Sequence, residues 1–215
     1  PLEVHARART RVIWHTTNRP QKTAPRFQPY PKMQLKLNLI AAACEDMGIG
    51  INGTLPWRLK SEMAFFTDMT TRTKDENKKN VVLMGRRTWD CIPKKFRPLK
   101  GRINMVLTSQ SLDLGNEAIT CKSIPAALEA ISQPALKDRV ESIWVIGGSS
   151  VYKASMESPN FHRLYLTKVK KHFECDTFFP PIPNDLVLVD EPEVPKGTQE
   201  DNGIQYEYLV YRREE

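Results

Sequence analysis

Glu62 is a candidate for acid–base chemistry because the sequence pattern around it is apolar. In a helix that begins near residue 58, four side chains at the spacing i, i+3, i+4 and i+7 share one face: Leu59, Glu62, Met63 and Phe66. A buried carboxylate is costly unless a partner stabilises it. Glu62 is therefore either a carboxylate that a bound ligand uses or a solvated residue at the edge of the stripe. The periodicity alone leaves both interpretations open.

A glycine-rich segment, residues 48–57, precedes Glu62 and contains the pattern G-x-G-x-x-G. A dinucleotide-binding fingerprint of this form requires its glycines to lead from a strand directly into a helix. Here the glycines lead instead into Thr54-Leu55-Pro56-Trp57, and helical sequence starts only near residue 58. We interpret the segment as a mobile surface loop near a pocket, in which glycine permits positive φ.

Three further positions could bind anions. Gly147-Gly148 ends an apolar run and opens a helix near Ser149, where the backbone could approach a diphosphate, although a plain tight turn fits the pattern equally well. Arg87 and Thr88 open another helix after an apolar run. Arg102 starts an apolar strand and is either a carboxylate-binding cation or a solvated strand end.

Apolar runs that alternate with helical patterns must position these residues. Strands are predicted over residues 35–43, 80–84, 103–107, 117–121, 142–146, 163–170, 186–190 and 205–212, and helices over 58–72, 86–91, 124–131 and 149–155. The alternation predicts an α/β fold with a mostly parallel sheet and helices on both faces. The turn at residues 201–203 predicts an antiparallel hairpin at the C-terminal edge.

The net charge of +7 is concentrated in the first 32 residues, which carry seven basic side chains and one acidic one. Residues 33–215 are nearly neutral, so nucleic-acid binding by the folded domain is not expected. Pro20, Pro25, Pro29 and Pro31 forbid a continuous helix, so residues 1–32 are predicted to form a disordered extension. A targeting segment, a basic interaction arm and upstream sequence outside the mature protein are the alternatives for it, and we favour the last.

The four cysteines show neither C-x-x-C pairing nor metal-ligand spacing. We interpret them as reduced thiols of an intracellular protein, without a disulfide or a metal site. No apolar run reaches the roughly 20 residues of a membrane span. We therefore expect a cytoplasmic location; mitochondrial targeting by the extension is less favoured, because its prolines weaken a transit-peptide helix.

The segment ending in Leu55-Pro56-Trp57, followed by Glu62, resembles dihydrofolate reductases of the animal type. The resemblance extends in order and spacing through four further blocks, residues 86–89, 97–104, 144–152 and 175–180. It covers the chain from about Leu35 to the C-terminus and implies a reductase domain over residues 33–215. It also implies a central eight-stranded sheet with an antiparallel C-terminal edge strand, and a monomer.

The resemblance implies transfer of a hydride from NADPH to C6 of 7,8-dihydrofolate and protonation at N5. The tetrahydrofolate produced would support one-carbon metabolism and thymidylate synthesis. Glu62 would bind the amino group and N3 of the pteridine, and Thr167 would orient Glu62 from a neighbouring strand. Because Glu62 lies too far from N5 for direct transfer in the family, a water would carry the proton, positioned or gated by Trp57 and Leu55.

The family positions also imply the remaining binding residues. Dihydrofolate and antifolates such as methotrexate would contact Ile40, Ala42, Glu62, Met63, Phe66, Ile92, Leu99, Arg102, Ile146 and Tyr152. Arg102 would bind the α-carboxylate of the substrate's glutamate tail in a paired contact, which suits a guanidinium. Met63 stands where the family often has Phe.

NADPH would contact Ala42, Ile49, Gly53, Arg86, Arg87, Thr88, Leu107, Thr108, Ser109, Lys122, Ile146, Gly147, Gly148, Ser149, Ser150 and Val151. Its 2′-phosphate would lie against Arg86, Thr108 and Lys122. Since the family often has Arg where Ser109 stands, the degree of preference for NADPH over NADH stays open. The family also forms a cis bond at Gly147-Gly148.

Two other functions remain as alternatives. A pteridine or flavin-precursor reductase of the same fold would keep the glycine pair but should lack the combination of Glu62, Trp57 and Arg102. A nucleic-acid-binding role would use the basic extension, and salt-dependent binding of the full chain against a version starting at Met33 would test it.

Overall fold

The computed structural model describes residues 35–214, so the predicted extension at residues 1–32 lies outside the described residues. The strands are β1 (Leu37–Ala43), β2 (Gly48–Gly50), β3 (Lys79–Gly85), β4 (Ile103–Leu107), β5 (Ile119–Cys121), β6 (Val140–Gly147), β7 (Phe161–Val169), β8 (Thr177–Phe178), β9 (Leu186–Leu188), β10 (Gln199–Asp201) and β11 (Ile204–Arg213). The helices are α1 (Lys60–Thr71), α2 (Arg86–Cys91), α3 (Ile124–Ser132) and α4 (Ser149–Met156), with a 3₁₀ turn at Lys94–Phe96.

Eight strands follow one another across the main sheet in the order β10-β11-β7-β1-β6-β3-β4-β5. The strands from β7 to β5 are parallel, whereas β11 runs antiparallel to β7. A ninth short strand, β9, pairs with the far end of β11. The predicted fold, a mostly parallel sheet with an antiparallel C-terminal edge, is therefore confirmed.

Both faces of this sheet are covered by helices because the central strands are apolar on both sides. In β3, Val81 and Leu83 join the core beneath α3 and α4, whereas Val82 and Met84 join the core beneath α1 and α2. All four side chains are fully buried. A continuous apolar run therefore fixes one central strand and binds helices to both of its faces.

The C-terminal hairpin also has the predicted form. Asp201 pairs with Ile204, so the turn contains only Asn202 and Gly203, whose φ angles are 53° and 68°. Two consecutive positive φ angles are typical of the type I′ turn that Asn-Gly favours. This turn places β10 beside the first half of β11.

The glycine segment and α1 differ from their predictions. Gly48 and Gly50 are buried in a short strand, β2, which pairs with β8, so the prediction of a surface loop is wrong for that part. Helix α1 begins at Lys60 rather than near residue 58, because Leu59 is extended. The short strands β2, β8 and β10 were not predicted, since two or three residues carry no measurable periodicity. Other strand ends shift by up to two residues; β5, for example, begins at Ile119.

Within the described part of the chain, none of the helices combines the length and apolar character that crossing a membrane would require. The same residues contain no group of three or more His, Cys, Asp and Glu side chains that could hold a metal ion.

Candidate active site

The candidate site lies where the parallel strands β1, β3 and β6 end, at the sheet edge where open α/β folds commonly bind ligands. Ala42 and Ile40 come from β1, and Ile146 and Gly147 from β6. Helix α1 adds Glu62 from above this edge. Residues that are more than 100 positions apart in the chain thus reach one site.

Glu62 is buried, with 5% of its surface exposed. Thr167 in β7 donates a hydrogen bond from Oγ1 to Glu62 Oε1 over 3.3 Å. Burial raises the pKa of Glu62 to about 7, and the bond from Thr167 lowers the pKa only in part. The interpretation of Glu62 as a solvated surface residue is therefore wrong. A carboxyl group with this pKa populates both protonation states near neutral pH.

A cleft of about 310 Å³ opens beside this carboxyl group. Its lining consists of Leu55, Trp57, Arg58, Leu59, Lys60, Glu62 and Met63. Leu55 and Met63 are apolar side chains that stay 41% and 48% exposed. An exposed apolar pair at the mouth of a cleft with a carboxyl group at its base suits a flat, mostly apolar ligand that carries polar edge groups.

Trp57 forms the buried wall of this cleft. Its ring packs against Phe173 with the centroids 5.4 Å apart. The indole Nε1 has no hydrogen-bond partner among the described residues, although it is buried. An indole N–H can only donate, so this donor is left for an acceptor that the described residues do not supply.

The predicted apolar walls come together around the end of β1. Ile40 is part of one core cluster, and four other predicted residues pack against that cluster: Phe66, Ile92, Leu99 and Ile146. Ala42 packs against the neighbouring cluster, which contains Trp57. Five residues that the resemblance assigned to the ligand pocket thus belong to one core cluster or pack against it, whereas only Glu62 and Met63 of the predicted substrate residues line the 310 Å³ cleft.

Tyr152 is placed differently from the other predicted substrate residues. Its hydroxyl donates to the Ile40 carbonyl over 2.7 Å, and its ring packs against Phe179 with the centroids 4.8 Å apart. Burial, together with the charge of Glu62, raises the pKa of Tyr152. The hydroxyl therefore stays neutral and fixes the backbone of β1 close to the carboxyl group.

Arg102 is half-buried, which lowers the pKa of its guanidinium. Its Nη1 donates to Thr70 Oγ1 over 2.8 Å and its Nε donates to the Lys100 carbonyl over 3.0 Å. Within residues 35–214 no carboxylate lies within ion-pair distance of this guanidinium. Arginine stays charged in proteins, so the group is oriented and available to an anion.

Asn104 is a supporting residue that the sequence did not reveal. Its Oδ1 accepts from Leu99 N over 3.0 Å, and its Nδ2 donates to the carbonyls of Leu99 and Arg102 over 3.0 and 3.2 Å. These bonds fix the loop between two predicted binding residues. The pattern alone gave no sign of this role, because a buried Asn at the start of a strand resembles any turn residue.

Gly147 and Gly148 join β6 to α4 through a cis peptide bond, and Gly147 has a φ of 128°. A Cβ atom at Gly147 would lie 3.2 Å from Thr88 Oγ1, and one at Gly148 would lie 3.3 Å from the same oxygen. A side chain at Gly148 would require Thr88 to shift by a few tenths of an ångström, and the positive φ of Gly147 favours glycine there. The predicted anion-binding positions at the starts of α2 and α4 are adjacent in space.

At the position predicted for the 2′-phosphate, Arg86 contacts Asp90 at 3.4 Å and also the side chain of Gln110. Thr108 is buried, and its Oγ1 accepts from Gln110 N over 3.2 Å. Ser109 and Lys122 are exposed. Gln110 thus belongs to this corner of the site, although the sequence did not reveal it.

A second cleft of about 390 Å³ continues from this corner between β4, α3 and α4. Its lining is Leu107, Ser123, Ile124, Pro125, Ser150, Val151, Ala154, Ser158 and Pro159. Only three of these residues, Leu107, Ser150 and Val151, were among the predicted cofactor residues. Ser123 and Pro125 were missed because a Ser followed by a Pro at a helix start predicts a helix cap and not a ligand contact. Ser123 is such a cap, since its Oγ accepts from Ala126 N over 3.2 Å.

The last predicted cofactor positions, Ile49 and Gly53, lie in the glycine segment. The Asn52-Gly53 turn has φ angles of 49° and 73°, and a Cβ at Gly53 would lie 2.8 Å from Cys91 Sγ. Asp176 Oδ2 accepts from Asn52 N over 2.8 Å and so holds the turn. Ile49 is half-buried and packs against the core beneath α4.

These features define a class of protein: an open α/β enzyme with a buried, protonatable carboxyl group beside a cleft and a glycine pair where the starts of two helices meet. The sequence model of the family described as "Dihydrofolate reductase" matches residues 36–213. The chain belongs to the dihydrofolate reductase family.

Individual relatives agree with that assignment. Over 183 residues the chain is 51% identical to the dihydrofolate reductase of Heliothis virescens, covering 84% of this chain and 98% of the relative. It is 46% identical to that of Gallus gallus over 181 residues, covering 82% of this chain and 96% of the relative. The solved structure of Schistosoma mansoni dihydrofolate reductase superimposes with a TM-score of 0.75 at 34% identity and covers 84% of this chain and all of its own.

Proposed function

We propose that this protein catalyses the NADPH-dependent reduction of 7,8-dihydrofolate to 5,6,7,8-tetrahydrofolate, which supplies one-carbon metabolism and thymidylate synthesis. The observation that carries this proposal is Glu62, which is buried beside Trp57 with a pKa of about 7. Family membership over residues 36–213 supports the same reaction.

The substrate would lie in the cleft beside α1. Glu62 would bind the amino group and N3 of the pteridine ring, since a carboxyl group can accept from one nitrogen and exchange a proton with the other. The apolar side chains around Ile40 would cover the ring faces. At the far end, Arg102 would bind the α-carboxylate of the glutamate tail, because its guanidinium is already oriented by Thr70.

The residues at the starts of α2 and α4 fit the phosphates of a dinucleotide. Gly147 and Gly148 form a cradle that any side chain would fill, and the starts of α2 and α4 present backbone N–H groups beside it. Arg86, Thr108 and Lys122 would hold the 2′-phosphate that distinguishes NADPH. When bound, NADPH supplies the hydride that C6 of the substrate accepts.

Protonation at N5 would use the carboxyl proton of Glu62. Near neutral pH about half of the Glu62 groups carry this proton, because its pKa is about 7. The Trp57 N–H is a buried donor with no partner among the described residues, so it can orient a water that relays the proton. Leu55, on the exposed side of the cleft, would limit the access of bulk solvent.

The direct test is the oxidation of NADPH by the purified protein in the presence of dihydrofolate, with and without methotrexate. We expect rapid oxidation that the antifolate blocks. The matched control is the same assay without dihydrofolate, which measures background oxidation. If NADPH binds but no oxidation follows, the result favours a same-fold protein with a different substrate, and the substrate assignments above are wrong.

A further inference from the structure

Two thiols that the proposed reaction does not use face each other next to the site. Cys44, directly after β1, is fully buried, and Cys175, just before β8, is half-buried. Their sulfur atoms are 3.9 Å apart, within contact distance. A disulfide requires about 2.05 Å between the sulfurs, so an approach of about 2 Å would join them.

We propose that Cys44 and Cys175 form an oxidative modification site, at which a hydroperoxide links them in a reversible intramolecular disulfide that slows the enzyme. The effect on turnover rests on the proposed function, whereas the formation of the disulfide does not. All four cysteines are free thiols in the structure, and the proposal adds a reversible oxidised state of two of them.

The other two cysteines provide an internal comparison. Cys91 ends α2 and is exposed, and Cys121 ends β5, which is one edge of the main sheet. Neither has a second thiol within contact distance in residues 35–214. Only Cys44 and Cys175 are therefore placed to link within one chain.

The backbone between the two thiols connects them to the glycine segment. A Cβ at Gly48 would lie 2.4 Å from Cys175 Sγ and 2.9 Å from Cys44 Sγ, so this glycine packs directly on both sulfur atoms. Drawing the sulfurs together must therefore move Gly48 or change its packing. Gly48 starts β2, from which the chain continues to Leu55 and Trp57.

The thiols also lie next to the residues that pack around Trp57. Cys44 belongs to the same buried cluster as Trp57 and Leu59. Its Sγ reaches the carbonyl of Phe173 at 3.9 Å, and the ring of Phe173 packs on Trp57. A disulfide would thus change the packing on two sides of Trp57, which explains why oxidation should slow turnover.

The chemistry balances with hydrogen peroxide as the oxidant. The Cys175 thiolate attacks one peroxide oxygen, the O–O bond breaks, and a sulfenic acid and hydroxide form. The Cys44 sulfur then attacks Cys175 Sγ, the S–S bond forms, and the S–O bond breaks. The hydroxide ions and the two thiol protons leave as two waters, so two sulfurs are oxidised as one peroxide is reduced.

Cys175 is the thiol that meets the oxidant first, because it is partly exposed while Cys44 is not. Burial and the neighbouring Cys44 raise the pKa of the Cys175 thiol. Its thiolate fraction is therefore small at neutral pH, and the reaction requires an excess of peroxide. Such a site responds to sustained oxidation and not to brief exposure.

The test uses the full chain with Cys91→Ser and Cys121→Ser, which leaves only the pair in question. This protein is treated with hydrogen peroxide, its remaining thiols are alkylated, and its intact mass and non-reduced peptide map are measured. We expect the loss of two hydrogen atoms, no alkylation, and a peptide that joins Cys44 to Cys175. NADPH oxidation with dihydrofolate should fall by about threefold or more and recover after dithiothreitol.

The matched control adds Cys175→Ser to the same protein, which removes the link and keeps every other oxidisable residue. Its turnover should change little after the same treatment. Free or over-oxidised thiols at Cys44 and Cys175, without a joined peptide, would overturn the modification site. A joined peptide with unchanged turnover, or an equal loss in the control, would overturn the effect assigned to it. A protein that lacks reductase activity before treatment contradicts the proposed function, while the peptide map still decides whether the disulfide forms.

Discussion

Glu62 shows how one buried side chain can acquire an unusual acidity. Desolvation raises the pKa of its carboxyl group to about 7, and the single hydrogen bond from Thr167 offsets only part of that increase. The same group would be fully ionised in water at neutral pH. The carboxyl group therefore keeps a proton in part of the molecules at neutral pH.

We expect Glu62→Gln to slow turnover by about a hundredfold or more, because glutamine keeps the shape and can accept from Thr167 but has no acidic proton. In the native protein the rate should fall as pH rises through about 7, since the protonated fraction declines, and the variant should lack this inflection. Steady-state rates across pH measure the turnover and its inflection, and a fluorescence titration measures the affinity for NADPH. NADPH binding should be nearly unchanged; a variant with native turnover, or one that has lost NADPH, contradicts the role of Glu62.

At the scale of elements, two aspartates hold the segments that carry the proposed catalytic residues. Asp176 Oδ2 accepts from Asn52 N in the glycine segment over 2.8 Å, and Asp201 Oδ2 accepts from Ser61 N at the start of α1 over 2.9 Å. The residue before α1, Leu59, provides no side-chain cap. The hairpin of β10 and β11 thus supplies the cap that α1 lacks in its own sequence.

These two contacts can be tested as a matched pair. Asp176→Ala should accelerate amide hydrogen exchange at residues 51–54 and leave the start of α1 unchanged, whereas Asp201→Ala should do the reverse. The backbone N–H groups of Asn52 and Ser61 donate to these carboxylates and lower the pKa of both. In the native protein each contact should therefore be lost as the pH falls through the lowered pKa of its aspartate. Hydrogen exchange followed by mass spectrometry measures both. Equal acceleration in both regions by either variant would show general destabilisation and contradict separate anchors.

At the scale of the whole molecule, burial of Glu62 makes the free energy of unfolding depend on pH. The folded pKa of about 7 lies above the unfolded value of 4.5, so the folded chain holds this proton more tightly. The stability from this group is complete below about pH 4.5 and is lost as pH rises through about 7. A shift of this size corresponds to a loss on the order of 3 kcal/mol.

Glu62→Gln should therefore stabilise the protein at about pH 8 by on the order of 3 kcal/mol and have little effect at about pH 5. The neutral amide resembles the protonated acid, which explains the agreement at low pH. Urea unfolding of both proteins at the two pH values measures the difference. The same stability gain at both pH values would show that packing, and not the charge of Glu62, is responsible.

The sequence predicted much of this molecule because its long strands are continuous apolar runs that must be buried on both faces. β6 and β7 were predicted within two residues of their ends, and so was the glycine pair at the junction of β6 and α4. The start of α1 could not be predicted, because it depends on a backbone bond to Asp201 from another element. Periodicity left the burial of Glu62 open, since its partner Thr167 lies 105 residues along the chain.

The two short strands beside β11 have a consequence for self-association. β10 covers the first residues of β11 and β9 covers its last residues, while the opposite edge of the sheet ends in the three-residue strand β5. A long, flat edge strand is a template on which another chain can add and polymerise. This sheet ends on both sides in strands too short to serve as such a template, so edge-to-edge aggregation of the folded domain is disfavoured by its architecture.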